Sequence, residues 1–149
     1  MAFVVDCSVT LAWFLADERT SFTDSVLRAT EEIEHWVPAI WTLEFANGLL
    51  MAQRRKRIER EARVEALERV LRLGLHVDPT TSDMKSVSAL AERRDLTTYD
   101  AAYLELAARR GFGLITLDAA LAAAAGAEGV AVQAPGRAGA AQRRRSYNR

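Results

Sequence analysis

The chain has 149 residues, half of them apolar and 27% charged, with 20 basic side chains against 20 acidic ones. That length suits one domain with a substantial core, and no apolar run reaches the roughly 18 residues of a membrane span. The single cysteine, Cys7, excludes an intramolecular disulfide and fits a cytoplasmic location, and the N-terminus is read as a strand rather than a signal peptide.

Ala2 to Asp6 is a short apolar run, read as a buried strand that ends at an acid. Ser8 suits the N-cap of a helix over Val9 to Ala16, with Leu11, Phe14 and Leu15 turned to the core. After a polar break at 17–20, a second helix is expected from Ser21 to Glu34 on a stripe of Phe22, Val26, Leu27 and Ile33. His35-Trp36-Val37 makes the second strand, and Pro38 opens a helix over Ala39 to Arg55. That helix is apolar at Ile40, Leu43, Ala46, Leu49 and Leu50, yet it carries Glu44 among them.

The basic break Arg54 to Arg57 leads into a charged helix from Ile58 to Leu73. Gly74 stops it, and Leu75-His76-Val77 forms the third strand. Thr81 or Ser82 caps a helix to Arg94, and Thr97 or Thr98 caps the next, which stops at Gly111. Leu114 to Leu117 is the fourth strand, Asp118 starts an alanine-rich helix to Gly126, and Val130 to Gln133 is the fifth strand. From Pro135 the Gly/Ala/Arg composition reads as a disordered tail over 135–149, which leaves 1–134 as the domain.

Short apolar strands separated by helices argue for an α/β fold with a parallel sheet, whose right-handed crossovers bring all strand C-termini to one edge. Asp6 and Asp118 both follow strands, so both belong on that edge, and a topological switch point between their strands would be the natural ligand site. An acid among core residues is costly to desolvate unless it is paired or holds a cation. Four acids in such places, Asp6, Glu44, Asp100 and Asp118, share one economical explanation: a common divalent ion. Carboxylates with water and phosphate oxygens suit Mg²⁺ or Mn²⁺, whereas zinc would favour His and Cys. Metal-assisted phosphodiester hydrolysis is the reaction that follows. The arginines of 54–72 and of 143–145 beside this acidic site suit an anionic partner.

Each acid also has a plainer reading. Asp6 and Asp118 suit helix capping, Asp100 suits the positive end of a helix dipole, and Glu44 can turn to solvent. Ser8 and Thr116 are candidates to orient a metal-bound water or an acid, and Asn47 lies one turn beyond Glu44 on the same face. Trp13, Trp36 and Trp41 read as core.

The segments Val4-Val-Asp6-Cys-Ser8, Val37-Pro38…Leu43-Glu44…Asn47, Leu96-Thr-Thr98-Tyr-Asp100-Ala-Ala-Tyr-Leu and Leu114-Ile-Thr116-Leu-Asp118 together resemble the PIN-domain ribonucleases, and among them the VapC toxins of toxin–antitoxin pairs. The resemblance covers about residues 3 to 133. It implies a three-layer α/β/α domain with a central five-stranded parallel sheet. It further implies that Asp6, Glu44, Asp100 and Asp118 bind Mg²⁺ or Mn²⁺ and cut RNA, with Ser8 and Thr116 in support. A VapB-type antitoxin and a homodimer complete what it implies. The tail lies outside the pattern. The alternative is a non-catalytic PIN-like module that binds RNA or protein. A phospho-receiver domain shares the layout, but Asp6 is followed by Cys7 and residues 130–133 offer no lysine.

Overall fold

Three consecutive apolar residues with almost no exposure, Phe3, Val4 and Val5, build the strand at the middle of the sheet, β1 (Ala2–Val5). In this computed structural model, which describes residues 1–80 and 82–136, β1 is flanked by β2 (Glu34–Val37) and β4 (Gly113–Ile115). The two-residue strands β3 (His76–Val77) and β5 (Val132–Gln133) form the edges, giving the order β3-β2-β1-β4-β5. Every pairing is parallel, with Val4 beside both Trp36 and Leu114, and Val5 beside Ile115. Strands buried on both faces are read correctly as continuous apolar runs.

Seven helices among the described residues fill the crossovers: α1 (Cys7–Ala12), α2 (Ser21–Ala29), α3 (Trp41–Arg54), α4 (Arg60–Leu71), α5 (Met84–Arg94), α6 (Thr98–Arg110) and α7 (Ala119–Ala127). The order steps from β1 through β2 to β3 in one direction, then returns past β1 to β4 and β5. Right-handed crossovers therefore place α1–α4 on one face and α5–α7 on the other. The contacts agree: α1 packs on α3 and α3 on α4, while α6 lies on β1 and touches α5 and α7. Gly48 permits the close approach of α3 to α1, since a Cβ there would stand 2.6 Å from a Leu11 methyl.

Several boundaries differ from the sequence reading, each for a local reason. The first helix starts at Cys7 rather than Val9, with Asp6 in the N-cap position, because the Ser8 hydroxyl is used elsewhere. It ends at Ala12, where the N–H groups of Phe14 and Leu15 both close onto the Leu11 carbonyl. The second helix stops at Ala29, five residues early, and Glu34 joins β2. Its N-terminus is a reciprocal Thr20–Thr23 capping box. Asp83, not Ser82, caps α5 by accepting from the Lys85 N–H, and Thr81 falls outside the described residues. Thr97 caps α6 and Gly111, at φ 70°, ends it as expected. The tail beyond residue 136 also falls outside the described residues.

Trp13 and Trp41 are core residues whose indole N–H groups donate to the Thr23 carbonyl and the Thr10 hydroxyl. Trp36 is only half-buried; it stacks on His76 at 4.9 Å between ring centroids and lies under the Arg110 guanidinium at 4.3 Å. Edge strand β3 is secured by Asp78, whose N–H donates to Val37 and whose carboxylate accepts from Arg109 (2.6 Å) and Arg110 (2.9 Å). Burial alone would raise the Asp78 pKa, but the two guanidinium groups outweigh it and hold the value below the usual range. Because that pKa is lowered on folding, the contribution to stability is complete above the ordinary carboxylate value, about 4, and is lost as pH falls through the folded-state value. Asp78→Asn is expected to cost about 1–3 kcal/mol at pH 7, at the lower end because both arginines are about a third exposed. Urea unfolding of both proteins at pH 7 and below pH 3 checks this: the difference should shrink with acid.

Candidate active site

At the carboxyl edge of the sheet, between β1 and β4, the chain path leaves in opposite directions, which makes this crevice the topological switch point. Asp6 is the first residue beyond β1, and its N–H continues the ladder by donating to the Ile115 carbonyl at 2.9 Å. Its side chain is buried, and two hydroxyls converge on one oxygen: Ser8 Oγ donates to Oδ2 at 2.7 Å and Thr116 Oγ1 at 2.9 Å. Thr116 in turn accepts the N–H of Asp118 at 3.0 Å, and Ser8 Oγ accepts that of Leu117 at 3.4 Å. The start of α1 and the loop that follows β4 are thus stitched together around one carboxylate. Ser8 is therefore part of the Asp6 network rather than a helix cap.

Asp118 is exposed and does cap α7, accepting from Ala120 (2.8 Å) and Leu121 (3.3 Å) through Oδ1. Asp6 occupies the equivalent position before α1 but makes no side-chain capping bond. Capping thus explains one acid and not the other. Asp100 lies in the first turn of α6, half-buried, with its N–H on the Thr97 hydroxyl.

Glu44 lies in the first turn of α3 and is 9% exposed, so it does not turn to solvent. Its Oε1 accepts from the Tyr103 hydroxyl at 2.8 Å, a contact across 59 residues of chain. Tyr103 is fully buried one turn beyond Asp100 on α6. Burial drives its pKa well above that of an ordinary phenol, and nearby Cys7, Glu44 and Asp6 push the same way. The phenol therefore stays protonated and acts as a donor. Sequence reading gave Tyr103 no role, although a Tyr one turn from an acid on an apolar helix carries a hydroxyl that must find a partner. Asn47 is exposed and makes no side-chain hydrogen bond among the described residues.

Among the described residues, no three His, Cys, Asp or Glu side chains are gathered closely enough to form a ready-made metal cage. His35 is buried with Nδ1 on the Ile33 carbonyl, and His76 stacks on Trp36, which leaves carboxylates as the donor chemistry of the crevice. Such donors fit Mg²⁺ or Mn²⁺, and Mg²⁺ commonly keeps several waters and takes only one or two carboxylates from the protein. A pre-formed cage is not required for that mode of binding.

Residues 3–127 match the PIN domain family, and the chain belongs to it. Over 124 residues it is 32% identical to Ribonuclease VapC3 of Pyrobaculum aerophilum, covering 82% of this chain and 93% of that protein. The crystal structure of PAE2754 from Pyrobaculum aerophilum superposes with a TM-score of 0.66 at 25% identity, over 83% of this chain and 84% of the other. The three-layer α/β/α architecture expected from the sequence is that of the PIN family. No helix among the described residues is long and apolar enough to cross a membrane.

The Asp6 network yields a test by mutation. Thr116→Val leaves Asp6 with one fewer donor and the Asp118 N–H without its acceptor, and is expected to cost about 1–3 kcal/mol. Ser8→Ala, which acts on the same oxygen, should combine with it non-additively. Urea titrations of the two single variants and the double variant measure both terms.

Proposed function

We propose that this protein is a VapC-type toxin, an endoribonuclease dependent on Mg²⁺ or Mn²⁺ that hydrolyses RNA phosphodiester bonds. The observation that carries this reading is the buried Asp6 carboxylate at the switch point, held by Ser8 and Thr116 beside Asp118. Membership of the PIN family and similarity to a protein named as a VapC ribonuclease supply the class of chemistry.

In this reading Asp6, Glu44, Asp100 and Asp118 would hold a divalent ion. When bound, the ion would lower the pKa of the attacking water and offset charge on the scissile phosphate. The residues of the chain do the rest. Ser8 and Thr116 keep Asp6 in one rotamer, the N-terminus of α7 holds Asp118, and the first turns of α3 and α6 present Glu44 and Asp100. Three of the four acids thus stand at the positive ends of helices of nine residues or more, which offsets part of their mutual repulsion. In-line hydrolysis by water leaves a 5′-phosphate and a 3′-hydroxyl.

The same reading brings a VapB-type antitoxin as the neutralising partner, and a homodimer. The α3–α4 segment offers a surface for self-association, with Leu43 and Leu71 69% and 79% exposed among arginines. A non-catalytic PIN-like binding module is the second reading, favoured by the lack of a three-acid cage among the described residues. The two readings part on one experiment: induce wild type and Asp100→Asn in a host and sequence the RNA ends. Growth arrest with new 5′-phosphate ends in wild type alone is the expected result. Arrest by both proteins without new ends would favour the binding module, and 2′,3′-cyclic phosphates would contradict attack by water.

A further inference from the structure

We propose that Tyr103 is a positioning residue of this site, its hydroxyl fixing the Glu44 carboxylate in the orientation that the divalent ion and the RNA phosphate require; the assignment rests on the nuclease reading above.

Glutamate has three side-chain torsions, and freezing them costs rotamer entropy. Glu44 lies in the first turn of α3, between exposed Leu43 and buried Phe45. Tyr103 provides a selection from outside the helix. Its ring is fully buried in the core, so the hydroxyl has one location, and that location is 2.8 Å from Oε1 of Glu44. The donor is neutral, so it orients the carboxylate without cancelling its charge. Ser8 and Thr116 treat Asp6 in the same manner, through hydroxyls on a single oxygen. The site thus uses one device twice.

Position on the helix adds a second element. Tyr103 follows Asp100 by three residues, which puts the two on neighbouring turns of one face. Helix α6 therefore carries one acid of the quartet and orients another that belongs to α3. A shift of α6 would move Asp100 and release Glu44 together. The plainer account is that Glu44 merely satisfies a buried phenol. That account makes the pair a matter of stability, with no bearing on metal affinity or turnover.

Tyr103→Phe keeps the ring and removes only the donor. In the full chain purified free of antitoxin, Mn²⁺ affinity by electron paramagnetic resonance is expected to fall about 10- to 100-fold, the usual range for losing a partner that orients a metal ligand. Turnover of RNA should fall by a similar factor with KM nearly unchanged. In a Glu44→Gln background the same substitution should change Mn²⁺ affinity by no more than about two-fold, because its route of action is already gone. Wild-type Mn²⁺ affinity and turnover in Tyr103→Phe would overturn the assignment, as would equal losses in both backgrounds. A Tyr103→Phe chain that fails to fold would make the hydroxyl a fold determinant and overturn it too. If wild type itself neither binds Mn²⁺ nor cleaves RNA, the nuclease reading falls first, and this assignment with it.

Discussion

Asp6 is a carboxylate set at the end of the most buried strand of the sheet, and its neighbours are arranged to keep it there. Withdrawing such a group from water costs several kcal/mol unless its oxygens are bonded. Ser8 and Thr116 supply those bonds from the two segments that flank the switch point, and Thr116 also takes the N–H of Asp118. A single buried acid thereby fixes the start of α1, the end of β4 and the entry to α7. The contrast with Asp78 is instructive. That acid is equally buried but is matched by two guanidinium groups, the solution expected of a structural ion pair. Two of the bonds to Asp6 come from neutral hydroxyls, those of Ser8 and Thr116.

The remaining acids follow from the topology of a parallel sheet. A helix that directly follows a strand begins at the carboxyl edge, so the first turn of α3 and the cap of α7 lie on that edge. Glu44 and Asp118 occupy those positions, and Asp100 lies in the first turn of α6, a helix that packs on β1. Helix N-termini tolerate negative charge, so an acid in the first turn or at the cap of a helix is less costly than it would be elsewhere. The same positions serve folding, as the capping bonds of Asp118 show.

Much of this was legible in the chain. Strand ends at Asp6 and near Asp118, and the stop at Gly111, are local features of period, capping and backbone freedom, and the sequence states them directly. The family resemblance rested on the segments that now surround the switch point. What was not legible depends on distance. Ser8 reads as a cap until the structure brings Thr116, 108 positions away, to the same carboxylate oxygen. Tyr103 has no role in the sequence until Glu44 is placed against it, and nothing local marks Asp78 until Arg109 and Arg110 reach it. Edge strands of two residues carry too few side chains to mark their ends, which is why β3 and β5 came out longer from the sequence.

The proposed chemistry requires that Asp6 and the other three acids form a single divalent-cation site. The most direct measurement is anomalous diffraction from crystals of the protein grown with Mn²⁺. The account expects a strong peak at the carboxyl edge between β1 and β4, within about 2.0–2.3 Å of a carboxylate oxygen of Asp6 and of at least one other acid of the four, with waters completing the shell. A peak bound elsewhere on the surface, or none at Asp6 at saturating Mn²⁺, would contradict it.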